Sequence, residues 1–234
     1  MKVAITGATG HIGGVIVREL LHRGHTVKAL VRGYDTKSLD GLDVEKIHGD
    51  LHDITSLKHL MESCDALIHA AALISIDGDM HGLVHRTNIE GTRHVMDAAK
   101  AAGIKRVIHI SSVHAYSQHP LSEIMDEQRA PAGDDTFAYD RSKRDGQALA
   151  LSYASANMDV LVVNPTSVVG PYDFKPSKLG QAIINMSTGK LPFVFQGGFD
   201  FCDGRDVATA IVNALTMGRS GEAYLLGGGW HSLS

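Results

Sequence analysis

The first fourteen residues constrain the fold more than any later stretch. An apolar segment, Lys2–Thr6, runs directly into Gly7-Ala8-Thr9-Gly10-His11-Ile12-Gly13-Gly14. Glycine allows a tight turn there, and its missing Cβ lets the backbone approach a bound group closely. Ile12–Arg23 then reads as an amphipathic helix ended by Gly24. A strand that enters a helix through such a turn presents free N–H groups and the positive end of the helix dipole, which suits a pyrophosphate. The spacing is G-x-x-G-x-x-G, not the G-x-G-x-x-G of the usual dinucleotide fingerprint. A plain tight turn is the alternative. Its place at the first strand of a strand–helix alternation turns the reading toward a dinucleotide site.

That alternation continues along the chain. Strands are expected at Thr26–Val31, Val44–His48, Ala66–Ala70, Arg106–Ser111, Asp159–Val163 and Ala223–Leu226. Helices are expected at Ile54–Ser63 with Asp53 as its cap, at Asn88–Ala102 closed by Gly103, at Thr136–Ala156 and at Asp203–Met217. Residues 115–135 read as a polar loop. Strands alternating with helices imply βαβ units with right-handed crossovers. The expected fold is α/β, a Rossmann-type doubly wound parallel sheet with helices on both faces. Residues 1–165 would form the dinucleotide-binding core. After Pro165 the rhythm changes: Pro171, Pro176, Pro192 and most of the phenylalanines fall before Cys202, with few regular elements expected. Residues 166–234 would be a partial substrate lobe plus a returning helix and strand, and the last eight residues a strand leading into a loop.

Composition excludes several classes. The net charge is −4 with both signs mixed, which argues against nucleic acid or a membrane surface as partner. No apolar run approaches a membrane span, and with a strand expected over residues 1–6 no secretory signal is expected. Cys64 and Cys202 are far apart with no Cys-x-x-Cys, so reduced thiols in a cytoplasmic protein are expected. Fourteen histidines raise the question of a metal. His81 and His85 are four apart, but they lack the His-Glu-x-x-His pattern, and the others are scattered, so no metal is expected.

Two features suggest chemistry. Tyr139 and Lys143 stand four apart, on one face of a helix and one turn from each other. An ammonium at that distance favours a phenolate and lowers the phenol pKa from about 10, which would let the pair move a proton near neutrality. A solvated helix face could carry the same spacing. The second feature is the end of the second strand, Leu30-Val31-Arg32-Gly33, where no acid appears until Asp35. An acid at that place would bind a ribose 2′-hydroxyl and repel a 2′-phosphate. Arg32 could instead pair with the 2′-phosphate, which favours NADP(H) with NAD possible; an ordinary surface arginine is the alternative.

Together these pieces resemble the short-chain dehydrogenase/reductase superfamily in its extended branch, the NAD(P)-dependent epimerase/dehydratase family. The matching motifs are Thr6–Gly14, Gly49-Asp50-Leu51, His69-Ala70-Ala71-Ala72, Asn88-Ile89-Glu90-Gly91-Thr92, Ser111-Ser112, Tyr139-x-x-x-Lys143, Asn164-Pro165, Gly170-Pro171-Tyr172-Asp173 and Arg205-Asp206-Val207-Ala208. Asp173-Phe174-Lys175-Pro176 looks like the dihydroflavonol-reductase-like proteins of that branch, which favour NADP.

The resemblance implies roles. Tyr139 matches the catalytic acid/base, and Lys143 the residue that lowers its pKa and holds the nicotinamide ribose. Ser112 matches the serine that hydrogen-bonds the reacting carbonyl, since it stands four before Tyr116. Pleat alternation sends Ser111 to the opposite face, so only one of the two can serve. Cofactor contacts are implied at Thr6, Gly7, Ala8, Thr9, Gly10, His11, Ile12, Gly13, Arg32, Asp50, Leu51, Ala70, Ala71, Ala72, Asn88, Ser111, Tyr139, Lys143, Asn164, Pro165 and Ser167. Asn88 could equally be a helix N-cap. Asp206 reads as a first-turn charge. Val113 and His114 occupy the place where the family's dehydratases carry an acidic pair, which argues against sugar dehydration. The family usually continues past this length into a small C-terminal lobe, so an incomplete substrate lobe with exposed apolar surface is expected. Related enzymes dimerise through the helices that correspond to Asn88–Ala102 and Thr136–Ala156, and Ala148, Ala150, Ala154 and Ala156 would allow close packing in a homodimer.

The activity implied is an NADP(H)-dependent oxidoreductase that interconverts a small-molecule carbonyl and alcohol. A nucleotide-sugar epimerase with tightly held NAD uses the same residues, and a non-catalytic NADP(H)-binding regulator is the reading from a different class. The substrate itself is not readable. Tyr172, Phe193, Phe195 and Phe199 suggest an apolar wall, with core packing as the alternative.

Overall fold

The computed structural model describes residues 1–75, 78–190 and 197–232. Ten strands are present among them: β1 (Lys2–Thr6), β2 (Thr26–Val31), β3 (Val44–His48), β4 (Ala66–His69), β5 (Arg106–Ile110), β6 (Asp159–Pro165), β7 (Ser167–Val169), β8 (Gly198–Asp203), β9 (Ala223–Leu226) and β10 (Trp230–Ser232). The α-helices are α1 (His11–His22), α2 (Ile54–Met61), α3 (Leu83–His85), α4 (Gly91–Ala101), α5 (Ala138–Leu151), α6 (Lys178–Ser187) and α7 (Gly204–Asn213), and a π-helical turn (Arg86–Glu90) joins α3 to α4.

Seven strands form one sheet in the order β3-β2-β1-β4-β5-β6-β9, and every pairing in it is parallel. Alternate side chains leave opposite faces. Val3, Ile5, Ile68, Ile108 and Leu161 pack with α1 and α7 on one side, while Ala4, Leu67, Val107 and Val160 pack with α2, α4 and α5 on the other. This is the doubly wound α/β arrangement expected from the alternation. A second sheet, β10-β8-β7, pairs β7 with β8 in parallel and β8 with β10 antiparallel.

Several elements differ from expectation. Asp53 does cap α2, accepting from the backbone N–H of Thr55 and Ser56. The helix expected from Asn88 begins earlier, after Gly82 in a left-handed conformation, and Asn88 lies inside the π-turn instead of capping a helix. The helix expected over Thr136–Ala156 is shorter at both ends. Phe137 is its extended N-cap, and beyond Leu151 the backbone turns, with Ser155 bridging to Met158. Ala154 and Ala156 therefore lie off the helix, and Ala150 is buried in the core, so only Ala148 of the four alanines is an exposed helix residue. β7, α6 and β8 fill a stretch in which few regular elements are expected. Lys28 sits fully inside β2, donating to the carbonyl oxygens of His59 and Glu62 at the end of α2 and pairing with Glu45. Among the described residues no helix is long and apolar enough to cross a membrane.

Candidate active site

In an open parallel sheet ligands bind beyond the carboxyl ends of the strands, where the strand order reverses. Here that point lies between β1 and β4, and the glycine turn crosses it. Gly7 has φ +75°, and a Cβ on it would lie 2.5 Å from the Ala71 nitrogen. A Cβ on Gly13 would stand 2.0 Å from the Gly7 carbonyl oxygen. The turn therefore closes only with glycine at both places. Gly10 is the N-cap of α1 with no side-chain cap, and the first turn carries no acid. An anion approaching that terminus meets uncapped N–H groups and no repelling charge.

A cleft of about 460 Å³ opens beside this turn. Among the expected residues it is lined by Gly7, Thr9, Gly10, Arg32, Asp50, Leu51, Ala70, Ala71 and Ala72, and also by Leu83, Arg86 and Thr87, which the sequence reading missed. Arg32 is exposed and makes no ion pair among the described residues. The glycine cradle, the uncapped helix end and the long cleft fit a dinucleotide. Other expected contacts are turned elsewhere. Ala8 is in the core, and Ile12 packs against it. His11 Nε2 lies 3.2 Å from the Pro171 carbonyl oxygen. Ser167 is on β7, paired with Phe201, and Pro165 ends β6 buried.

The reacting residues converge at the ends of β5 and β6 and the start of α5. Ser112 N–H donates to Asn164 Oδ1 at 3.2 Å, and Ser112 Oγ accepts from the His114 N–H at 3.2 Å. Both contacts leave the Ser112 hydroxyl proton free, and it lies against the Tyr139 phenol. Ser111 Oγ instead donates to the Lys143 carbonyl. Burial pushes the Tyr139 phenol up to about 12, against a smaller lowering by Ser112. Lys143 does not counter this. Its ammonium donates to the Ile110 carbonyl at 3.2 Å and lies 5.9 Å from the Tyr139 ring centroid. Burial brings Lys143 itself down to about 8. The lowered phenol expected from helical spacing is thus not found in the free protein, because desolvation outweighs a charge aimed at another partner.

A chain of hydrogen bonds joins the glycine turn to this helix. Thr6 Oγ1 lies 2.6 Å from His69 Nδ1, and His69 Nε2 lies 3.0 Å from Thr92 Oγ1. Thr92 donates to the Asn88 carbonyl, Asn88 Nδ2 donates to Ser142 Oγ, and Ser142 donates to the Tyr139 carbonyl. Since Thr92 spends its proton on Asn88, His69 donates from Nε2 and accepts at Nδ1. Burial lowers His69 to about 3, so the ring stays neutral. Asn88 also exchanges two bonds with the Leu73 backbone, so its amide is committed to protein partners.

Of the expected apolar wall, Tyr172 lies under the Arg18 guanidinium, 4.2 Å from the ring centroid, and Phe199 packs on Phe201. Phe193 and Phe195 lie outside the described residues. Lys175 reaches back to Asp35 at 2.6 Å, so the segment after Gly170 is tied to α1 and to the loop after β2. A separate cavity of about 590 Å³ lies beside Ile104, Lys105 and Met158, at the opposite end of the sheet from Tyr139.

The model of the NAD dependent epimerase/dehydratase family matches residues 3–227. The chain is 38% identical over 230 residues to sterol demethylase protein B of Methylococcus capsulatus, covering 97% of this chain and 70% of that protein. It is 34% identical over 229 residues to a Synechocystis sp. protein provisionally named a dihydroflavonol 4-reductase, covering 95% of this chain and 66% of that one. The crystal structure of gox2253 superposes with a TM-score of 0.91 at 32% identity, over 100% of this chain and 71% of that one. MoeE5 in complex with UDP-glucose and NAD superposes with a TM-score of 0.87 at 25% identity, over 100% of this chain and 78% of that one.

Proposed function

The chain belongs to the NAD dependent epimerase/dehydratase family, the extended short-chain dehydrogenase/reductases, and from that premise we propose that it interconverts a small-molecule carbonyl and its alcohol with NADP(H). The observation that carries the reading is the Ser112 hydroxyl against the Tyr139 phenol, one helical turn from Lys143. A carbonyl oxygen seated between the two hydroxyls would receive a hydrogen bond from Ser112 and a proton from Tyr139. A nicotinamide held in the cleft would supply the hydride. Tyr139 suits the donor role because its phenol holds its proton at neutral pH. Lys143, anchored on Ile110, supplies the positive charge against which a phenolate can form in the oxidising direction. The glycine turn and the α1 terminus would hold the pyrophosphate, Asp50 and Leu51 the adenine side, and Arg32 a 2′-phosphate. Substrate selection would fall to residues 166–232.

The test is Tyr139→Phe assayed for NADPH consumption against a broad ketone and aldehyde panel. Loss of turnover by about a thousandfold with unchanged NADPH binding is expected. Unchanged turnover would remove Tyr139 from the mechanism. A parent protein that binds NADPH and turns over no carbonyl would favour a cofactor-binding regulator.

The family's description includes epimerases, and MoeE5 was solved with UDP-glucose and NAD, so a nucleotide-sugar epimerase with tightly held NAD is the second reading. Gel filtration separates the two. Cofactor that comes away from the protein supports the reductase, and cofactor that stays supports the epimerase. We also read the protein as a cytoplasmic homodimer. Both cysteines are free thiols, and Ala148 leaves an exposed small-residue position on α5. A monomeric mass in solution, or recovery outside the cytoplasm on fractionation, would refute it.

A further inference from the structure

His114 and Asp140 stand beside the reacting pair without a part in the proton transfer. His114 Nδ1 lies 3.0 Å from Asp140 Oδ1. The histidine ring meets the Tyr139 ring edge-on, with centroids 5.6 Å apart. Its backbone N–H donates to Ser112 Oγ, so its position is locked to the serine as well. The two partners differ sharply in exposure: Asp140 is 7% exposed, while the His114 side chain is 48% exposed. An exposed ion pair on a helix surface contributes little and needs no explanation. This carboxylate is buried, and a buried carboxylate is costly without a partner. The start of α5 helps, through its dipole. The imidazole is the group that completes the pairing.

The pairing also fixes what the imidazole offers outward. With Nδ1–H directed at Asp140, a neutral ring keeps Nε2 as a hydrogen-bond acceptor on its far edge. The His114 side chain is half-exposed, and its ring is in contact with that of Tyr139. A substrate whose carbonyl oxygen sits between Ser112 and Tyr139 would place atoms one or two carbons from that carbonyl near the imidazole. The complement of an acceptor is a hydroxyl. Building on the carbonyl–alcohol reading above, we propose that His114, held by Asp140, accepts a hydrogen bond from a hydroxyl next to the reacting carbonyl, so that the substrates are hydroxy ketones and, in reverse, the corresponding diols. Asp140 is a positioning residue, and His114 touches the substrate.

The experiment compares ketones with isosteres in which a methyl replaces the hydroxyl: acetoin against methyl isopropyl ketone, and α-hydroxyacetophenone against propiophenone. The parent should prefer the hydroxy ketone of each pair by about tenfold in kcat/KM, the size expected of one neutral hydrogen bond. His114→Phe keeps the ring contact with Tyr139 and removes the acceptor. It should bring each pair within about threefold, by slowing the hydroxy ketone alone, with NADPH binding unchanged. Because that change strands the Asp140 carboxylate, the double variant with Asp140→Asn guards against a folding defect and should give the same ratios. His114→Gln restores an acceptor and should recover part of the preference. Equal losses on both members of a pair, or ratios that do not move, would overturn the assignment of His114 while leaving the reductase reading intact. A parent that binds NADPH yet reduces none of these ketones nor any other carbonyl would overturn both.

Discussion

The ammonium of Lys143 is held by the carbonyl oxygen of Ile110, the last residue of β5, at 3.2 Å. The strand that ends at the site thus places the charge, and the phenol of Tyr139 stands a turn away in a desolvated setting of its own. Both groups are displaced from their ordinary proton affinities, in opposite directions, by the same cause.

Lys143 therefore destabilises the fold at neutral pH. Its folded value of about 8 lies below the ordinary 10.5, so the unfolded chain binds the extra proton between those values. The parent's stability should rise with pH across that window. Lys143→Met should abolish turnover yet stabilise the protein by about 2 kcal/mol at pH 7, after allowing for the lost bond to Ile110. The gain should shrink toward pH 10. Urea denaturation at the two pH values measures this, and a gain that does not depend on pH would contradict it.

Tyr139 has the opposite consequence. Its phenol stays protonated up to about 12 in the free protein. Reduction, which uses the protonated form, should be flat in kcat/KM from about pH 6 to about 7, below the value near 8 at which Lys143 gives up its charge. Alcohol oxidation needs the phenolate, so its kcat/KM should climb about tenfold per pH unit over that range. Initial rates in both directions check the pair of slopes.

Gly13→Ala should abolish cofactor binding and destabilise the fold, because the new methyl would sit 2.0 Å from the Gly7 carbonyl. Gly33→Ala is the control. It has open space and no left-handed φ, so its melting temperature and NADPH titration should match the parent.

Arg32→Ala should cost NADPH about thirtyfold in kcat/KM, the value of one charge-assisted contact to a phosphate, and leave NADH within about twofold. Competition by adenosine 2′-monophosphate should weaken in parallel. A full preference for NADPH in this variant would move the 2′-phosphate contact to another residue.

The legible parts of the chain are those where one physical signal dominates. β1, β2, β3 and β9 run between the bounds read from the sequence, since short apolar runs flanked by turn residues leave little choice. Asp53 was readable as a cap for the same reason. α6 carries an amphipathic pattern of its own, but it lies between Pro176 and Pro192 in a stretch where few regular elements are expected. Ser177, which accepts from the Gly180 N–H, was the cue available. Lys28 inside β2 breaks the apolar pattern, and its reason lies across the fold at the end of α2. At the site, the structure brings Tyr139, Lys143 and Ser112 together, the first two expected from helical spacing and the third from the resemblance. The proton affinity of Tyr139 was misjudged because spacing carries no information on burial. The His114–Asp140 pair joins residues on separate elements that no local pattern connects. Arg86 and Thr87 reach the cleft through a π-turn, which shifts the helix register from the one a regular period predicts.

The hydrogen-bonded line from Thr6 through His69, Thr92, Asn88 and Ser142 to Tyr139 includes no residue beyond Pro165. Alignment of the glycine turn with Tyr139 is thus written entirely into residues 6–142, while the segment after Gly170 is tied to that frame by contacts such as Tyr172 on Arg18 and Lys175 on Asp35. Such a division makes novelty cheap. Loops of that segment could be exchanged or lengthened to suit a different molecule while the line from Thr6 to Tyr139 keeps its alignment.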